Sequence, residues 1–297
     1  MNEVQIKLSH VSSKIEAMPN SDNKIDVGKI QDIGVINRLS WENLKDYIMC
    51  IQLLLDDGYA ENQKSAVILG QLVQMIKLAK SFLRLSGSQN FTGLATLFRL
   101  VYEDVVNISY LIMSDDKEKF SKYIKNSLKG EQALLKRLED DIKHSGKETN
   151  IQSRMIESII RTGKDAGISL DEIRDIPRKL NYPNAWERTK FIDSSREIYT
   201  VYKSNSGEVH GSFHNIYRKN IVENGDRRQV DFDDSRDIDS RIISSLVLVM
   251  NSAITILINE DIFLINNDDI VVFKEKLIKI IDNCVEISKR HEFLIQQ

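Results

Sequence analysis

The sequence predicts an all-α protein, a single large bundle of about eight to nine helices with one short β-hairpin near residues 221–232. Three observations carry that prediction. Only 3 Pro and 13 Gly occur in 297 residues, too little of the punctuation that separates the strands of sandwiches and barrels. Hydrophobic residues make up 41% of the chain and charged residues 29%, enough to bury an ordered core. Apolar residues also recur at intervals of three and four over long stretches, the period of an amphipathic helix.

The elements follow in order. Residues 1–37 show no clear period and contain the turn-prone run Pro19-Asn20-Ser21-Asp22-Asn23, so they read as a weakly structured arm before one helical domain over 38–297. From Ser40, a candidate N-cap, the positions Trp41, Leu44, Tyr47, Ile48, Ile51, Leu54 and Leu55 form a stripe that Gly58 ends. A second helix is expected over 61–85. A third, over 91–113, is apolar on nearly every face and therefore belongs at the centre of the bundle. Next come a long charged helix over 116–144, an amphipathic one over 148–166, and a short one opened by the capping box Ser169-Leu170-Asp171-Glu172. After the connector 181–186, helices are expected over 187–203 and 206–220. Asn224-Gly225 then marks a tight turn, and helices over 235–259 and 269–292 close the chain.

Composition narrows the function. A net charge of −3 and a pI near 6.0 leave no chain-wide basic footprint for nucleic acid. Cys50 and Cys284 each sit inside an apolar helical pattern, as small buried hydrophobes in a reducing compartment do. The start MNEVQIKLSH has no basic segment followed by an apolar one, and the most apolar tract, 244–258, falls short of the roughly 20 residues of a membrane span. A cytoplasmic protein without a membrane segment is expected.

Two polar stripes interrupt this pattern. On the third helix Thr92, Thr96, Arg99, Glu103 and Asn107 are spaced 4, 3, 4 and 4 and share one face. An arginine and a carboxylate on a buried helix need partners. They are either a register-fixing ion pair, whose loss costs a few kcal/mol, or the wall of a pocket. Farther along, Tyr199, Tyr202, Ser206, His210 and Tyr217 are spaced 3, 4, 4 and 7, with Phe213 and His214 beside them. Ser206 and His210 lie one turn apart, so a hydroxyl and an imidazole can meet and move a proton or hold a phosphate. Buried tyrosines and a histidine that satisfy one another are the alternative. His210 and His214 also have the spacing of zinc helices. No glutamate stands between them, however, and no Glu-x-x-His occurs, so neither a metal nor a cofactor is expected. Gly-rich phosphate loops, nucleophile elbows and Cys-x-x-Cys pairs do not occur.

Taken together, Phe98-Arg99-Leu-Val-Tyr-Glu103, then Trp186, then Tyr199, Tyr202, Ser206 and His210-Gly211-Ser212, resemble the bacterial domain-of-unknown-function family 5677 over roughly residues 40–260. The resemblance implies that the two stripes form one site, with Arg99 and Glu103 facing Ser206 and His210. It also implies kinship with helical, HEPN-like proteins found beside phage-defence and toxin genes. One expectation is then a metal-independent ribonuclease or toxin acting on RNA or a nucleotide. In it, His210 is the acid/base, Arg99 contacts phosphate, Glu103 orients one of them, and Ser206, Tyr202, Tyr199, Ser212 and His214 line the substrate. The other is a non-enzymatic helical sensor or interaction module with a structural polar network. A homodimer, with a partner protein encoded nearby, fits either. The segment from Arg137 to His144 meets the Arg-x4–6-His spacing of HEPN nucleases, but 16 arginines, 5 histidines and three spacings yield about 0.8 match by chance.

Overall fold

The computed structural model describes residues 4–19, 26–87, 93–192, 199, 203, 221–224, 227–230 and 240–297. It is mostly helical, as expected, and its contacts divide the chain into two compact units where the sequence suggested one domain. The first unit is 1–113 with 185–297 and the second is 114–184.

Among the described residues, the α-helices of the first unit are α1 (Val11–Ala17), α2 (Ile33–Leu55), α3 (Gln63–Gly87), α4 (Leu94–Met113), α9 (Ala185–Thr189), α10 (Ser240–Asn259) and α11 (Asn267–Ile295). Helix α4 packs against α3, α10 and α9, while α2 packs against α3, α10 and α11. Tyr47, Phe82, Phe98, Tyr102 and Phe273 are wholly enclosed between them. Side-chain caps set the N-termini of α2 and α11. Asp32 accepts the backbone N–H of Gly34 at 2.7 Å, so α2 begins seven residues before Ser40. Ser40 instead lies buried and donates to the carbonyl of Asn37 at 2.7 Å. Asn266 caps α11 by accepting from the N–H of Asp269 at 2.8 Å, with Asp268 and Asp269 favourably placed in the first turn.

Residues 4–18 are ordered where a weakly structured arm was expected. Val4, Ile6, Val11, Ile15 and Met18 are buried. Ile6–Lys7 forms β1, paired antiparallel with β2 (Tyr59–Ala60) and parallel with β5 (Phe263–Leu264). Lys276 on α11 donates to the carbonyls of Ile15 and Met18 at 2.8 and 3.2 Å, which satisfies the end of α1. The predicted hairpin is present as β3 (Ile221–Asn224) and β4 (Arg227–Val230), with Ile221 opposite Val230.

Helices α3 and α10 are long and apolar enough to cross a membrane, so the judgement that 244–258 is too short does not hold for α10 as a whole. Over the most apolar windows, 44% of α3 and 56% of α10 is buried inside the protein. Cys50 and Cys284 are free and buried, and burial pushes both thiols up to about 12.

The second unit contains α5 (Lys119–Ser127), α6 (Lys129–Ser145), α7 (Asn150–Asp165) and α8 (Leu170–Arg174). The single helix expected over 116–144 is broken at Leu128. There Ser127 turns its hydroxyl back to the carbonyls of Tyr123 and Ile124 at 3.0 and 2.8 Å, in competition with the helix. The break lets Leu128 join Leu135, Leu138, Ile159, Ile173 and Ile176 in one small core. Gly146, at φ 68°, closes α6 in the left-handed conformation that a side chain would resist. The capping box at Ser169 forms as predicted, and a second one forms at Thr149 with Gln152.

Gly163 is where this small core is tightest. A Cβ there would lie 2.7 Å from the carbonyl oxygen of Ile168 and 2.8 Å from Cδ1 of Ile173. Gly163→Ala is therefore expected to destabilise the second unit by about 1–3 kcal/mol, read as a lower urea midpoint. An unchanged midpoint would show that the turn yields freely.

Candidate functional site

Helix α4 is buried on almost every side because its sequence is apolar on almost every side. Phe98, Val101, Tyr102, Val105, Val106, Ile108 and Leu111 are enclosed. Ser109, buried among them, donates to the carbonyl of Val105 at 2.8 Å. The polar line Thr96, Arg99, Glu103 and Asn107 marks the side where the enclosure opens. Thr96 is exposed and the other three are half-buried.

The ion pair forms as expected, with Nε of Arg99 3.1 Å from Oε1 of Glu103. The side chains retain 21% and 36% exposure, which corrects the picture of a stripe in the dry interior. Solvent reaches both groups, so the pair itself is worth about 0.3–0.5 kcal/mol, not the few kcal/mol of a buried pair.

Helix α9 packs on α4 and is held by hydroxyls and rings. The Thr189 hydroxyl donates to the carbonyl of Ala185 at 2.8 Å, which leaves its oxygen to accept from the Tyr102 hydroxyl. Phe191 meets Tyr110 edge-on at 5.6 Å between centroids. Trp186 packs on Tyr199 at 4.5 Å, with the ring planes inclined by 58°. Two pairs of residues singled out in the sequence are thus in contact, Arg99 with Glu103 and Trp186 with Tyr199. Thr92, Tyr202, Ser206, His210, Ser212, Phe213, His214 and Tyr217 lie outside the described residues, as does most of the helix pair expected over 187–220.

Asp104 was not singled out, yet it is chemically the most unusual group on α4. It is 7% exposed, and its Oδ2 has no hydrogen-bond partner. Burial raises its carboxyl, and the neighbouring charge of Glu103 adds to this, to about 7 against an ordinary 3.8. The signal was faint: Asp104 stands 100° around the helix from Glu103, off the polar line and inside a Val-rich run. Among the described residues, no group of three or more His, Cys, Asp or Glu side chains is arranged to hold a metal.

A raised carboxyl makes the folded state the better proton acceptor. Stability from Asp104 is therefore full below about pH 4 and is lost as pH rises through about 7, by up to about 4 kcal/mol. Urea unfolding at pH 5 and pH 8 is expected to show roughly two-thirds of this loss in the native protein, the part that falls above pH 5. Asp104→Asn should flatten it, and an identical pH slope in the variant would assign the effect elsewhere.

The model of a family of unknown function, DUF5677, matches residues 65–228. No curated protein and no solved structure matches the chain. The family match runs from within α3, through α4 and its ion pair and the whole of the second unit, into β4, more than half of the chain. On that coverage, the protein belongs to the DUF5677 family.

Proposed function

We propose that this protein is a HEPN-like cytoplasmic effector that cleaves RNA, or acts on a nucleotide, without a metal. It would serve a phage-defence or toxin–antitoxin system beside a partner protein encoded nearby. The observation that carries the reading is the half-exposed ion pair of Arg99 and Glu103 on the open side of α4. A guanidinium there is reachable by a phosphate, and a fork of N–H donors is the group that holds one best. The packed rings of Trp186 and Tyr199 add an aromatic surface of the kind on which bases stack.

In this reading Arg99 binds the scissile phosphate and Glu103 holds the guanidinium in place. A ribose 2′-hydroxyl attacks the phosphorus and the 5′-oxygen leaves, with His210 moving the proton. Ser206, Tyr202, Ser212 and His214 position the strand. Helices α3 and α10 are read as core helices, since α3 packs on α4 and α10 packs on α2, α4 and α11.

The second reading, a non-enzymatic sensor or interaction module, is favoured by the bonded chain from Tyr102 through Thr189 to Ala185. Such a network stabilises the fold without serving chemistry.

Incubation with total RNA, with and without chelator, separates the two. Chelator-resistant cleavage is expected. It should fall at least about 100-fold in His210→Ala and in Arg99→Ala, with melting temperatures close to that of the native protein. Intact RNA throughout, or cleavage that survives both substitutions, would sink the nuclease reading and leave the structural one.

A further inference from the structure

The outer face of α11 carries a pattern that the fold does not use. Val271, Ile278 and Val285 stand seven residues apart and all are exposed, Ile278 at 57%. Residues seven positions apart lie within about 20° of one another around a helix, so the three share one side of α11. Beside Ile278, α10 and α11 leave a groove of about 330 Å³, walled by Lys274, Ile278 and Asp282 from one helix and Asn251 and Thr255 from the other.

Four and seven positions from Ile278 the residues are self-complementary, while three positions away the exposed Glu275 stands opposite the half-buried Ile281. Seven positions before and after it stand Val271 and Val285, and four positions before and after it stand Lys274 and Asp282. Within one molecule the lysine and the aspartate are eight residues apart, about 12 Å along the axis, too far to pair. Neither makes an ion pair elsewhere among the described residues, and both are exposed. A two-fold axis through Ile278, perpendicular to α11, sets the helix antiparallel on its own copy. Residues equally distant before and after Ile278 then face each other. Ile278 meets Ile278, Val271 meets Val285 at both ends, and Lys274 meets Asp282 twice. A two-fold interface requires that a patch complement itself in this way, with residue i on j and j on i.

We infer that α11 is the self-association surface of this protein and that its occupant is a second copy, docked antiparallel about Ile278. Opposite charges on either side of an apolar centre fix the register. The interface owes nothing to the chemistry proposed for α4, so either conclusion can fall without the other.

Sedimentation velocity of the full chain over a wide concentration range tests it. A dimer is expected, with Ile278→Glu raising its Kd at least about 30-fold, since it places two carboxylates at the centre of the contact. Lys274→Asp and Asp282→Lys should each weaken the dimer by setting like charges opposite one another, and the double variant should restore it. Ile278→Cys should cross-link under oxidation, as Cys50 and Cys284 are buried. All these positions are exposed, so the substitutions leave the core untouched and unchanged circular dichroism is expected. A native protein that stays monomeric overturns the inference, leaving α11 to another partner. So does a dimer indifferent to Ile278→Glu, or a double variant no better than either single one.

Discussion

The enclosure of α4 is the constraint to which the first unit answers. A helix apolar on nearly every face has no side it can leave in water, so it requires neighbours around most of its circumference. Helices α3, α10 and α9 supply them. Each large side chain enclosed there, Phe98, Val105 or Ile108, contributes roughly 1.5–3 kcal/mol by leaving water. Part of what remains exposed is the strip along Arg99, Glu103 and Asn107, next to the exposed Leu100. The candidate site thus lies along the partly exposed side of α4.

Asp104 is the exception that gives the strip its character. A carboxyl held in the enclosed part, with one oxygen unpartnered, is the kind of group that packing alone would replace by leucine or asparagine. Its neighbour Glu103 is solvated and paired with Arg99. Two adjacent acids therefore lie in different media because one turn angle separates them, and only Asp104 is enclosed.

Much of this was legible in the sequence because it is local. Helical periodicity, the central place of α4, the capping box at Ser169 and the turn between β3 and β4 all depend on residues within a few positions of one another. What escaped depends on distant residues. The arm showed no period because Ile6 is held by Ala60 and Phe263 rather than by its neighbours. The start of α2 was misplaced because two capping residues, Asp32 and Ser40, were available and only tertiary packing buries the second. The break at Leu128 follows from the Ser127 hydroxyl and from a core that draws on α6, α7 and α8. The division into two units has no composition shift to announce it. In the site, the pairing of Arg99 with Glu103 lies on a readable spacing of one turn, whereas the contact of Trp186 with Tyr199 does not. The depth of Asp104 is set by whichever helices cover it.

Strand β1 spans two residues, yet it governs the order in which the protein can be made. It joins the segment after α2 to the segment after α10, near the opposite end of the chain. On the ribosome, residue 6 waits while more than two hundred and fifty others are synthesised before its parallel neighbour Phe263 exists. The interrupting segment 114–184, a continuous stretch with its own core, is available to fold during that wait. The first unit is completed only once the segment that supplies Phe263, α10 and α11 has been synthesised.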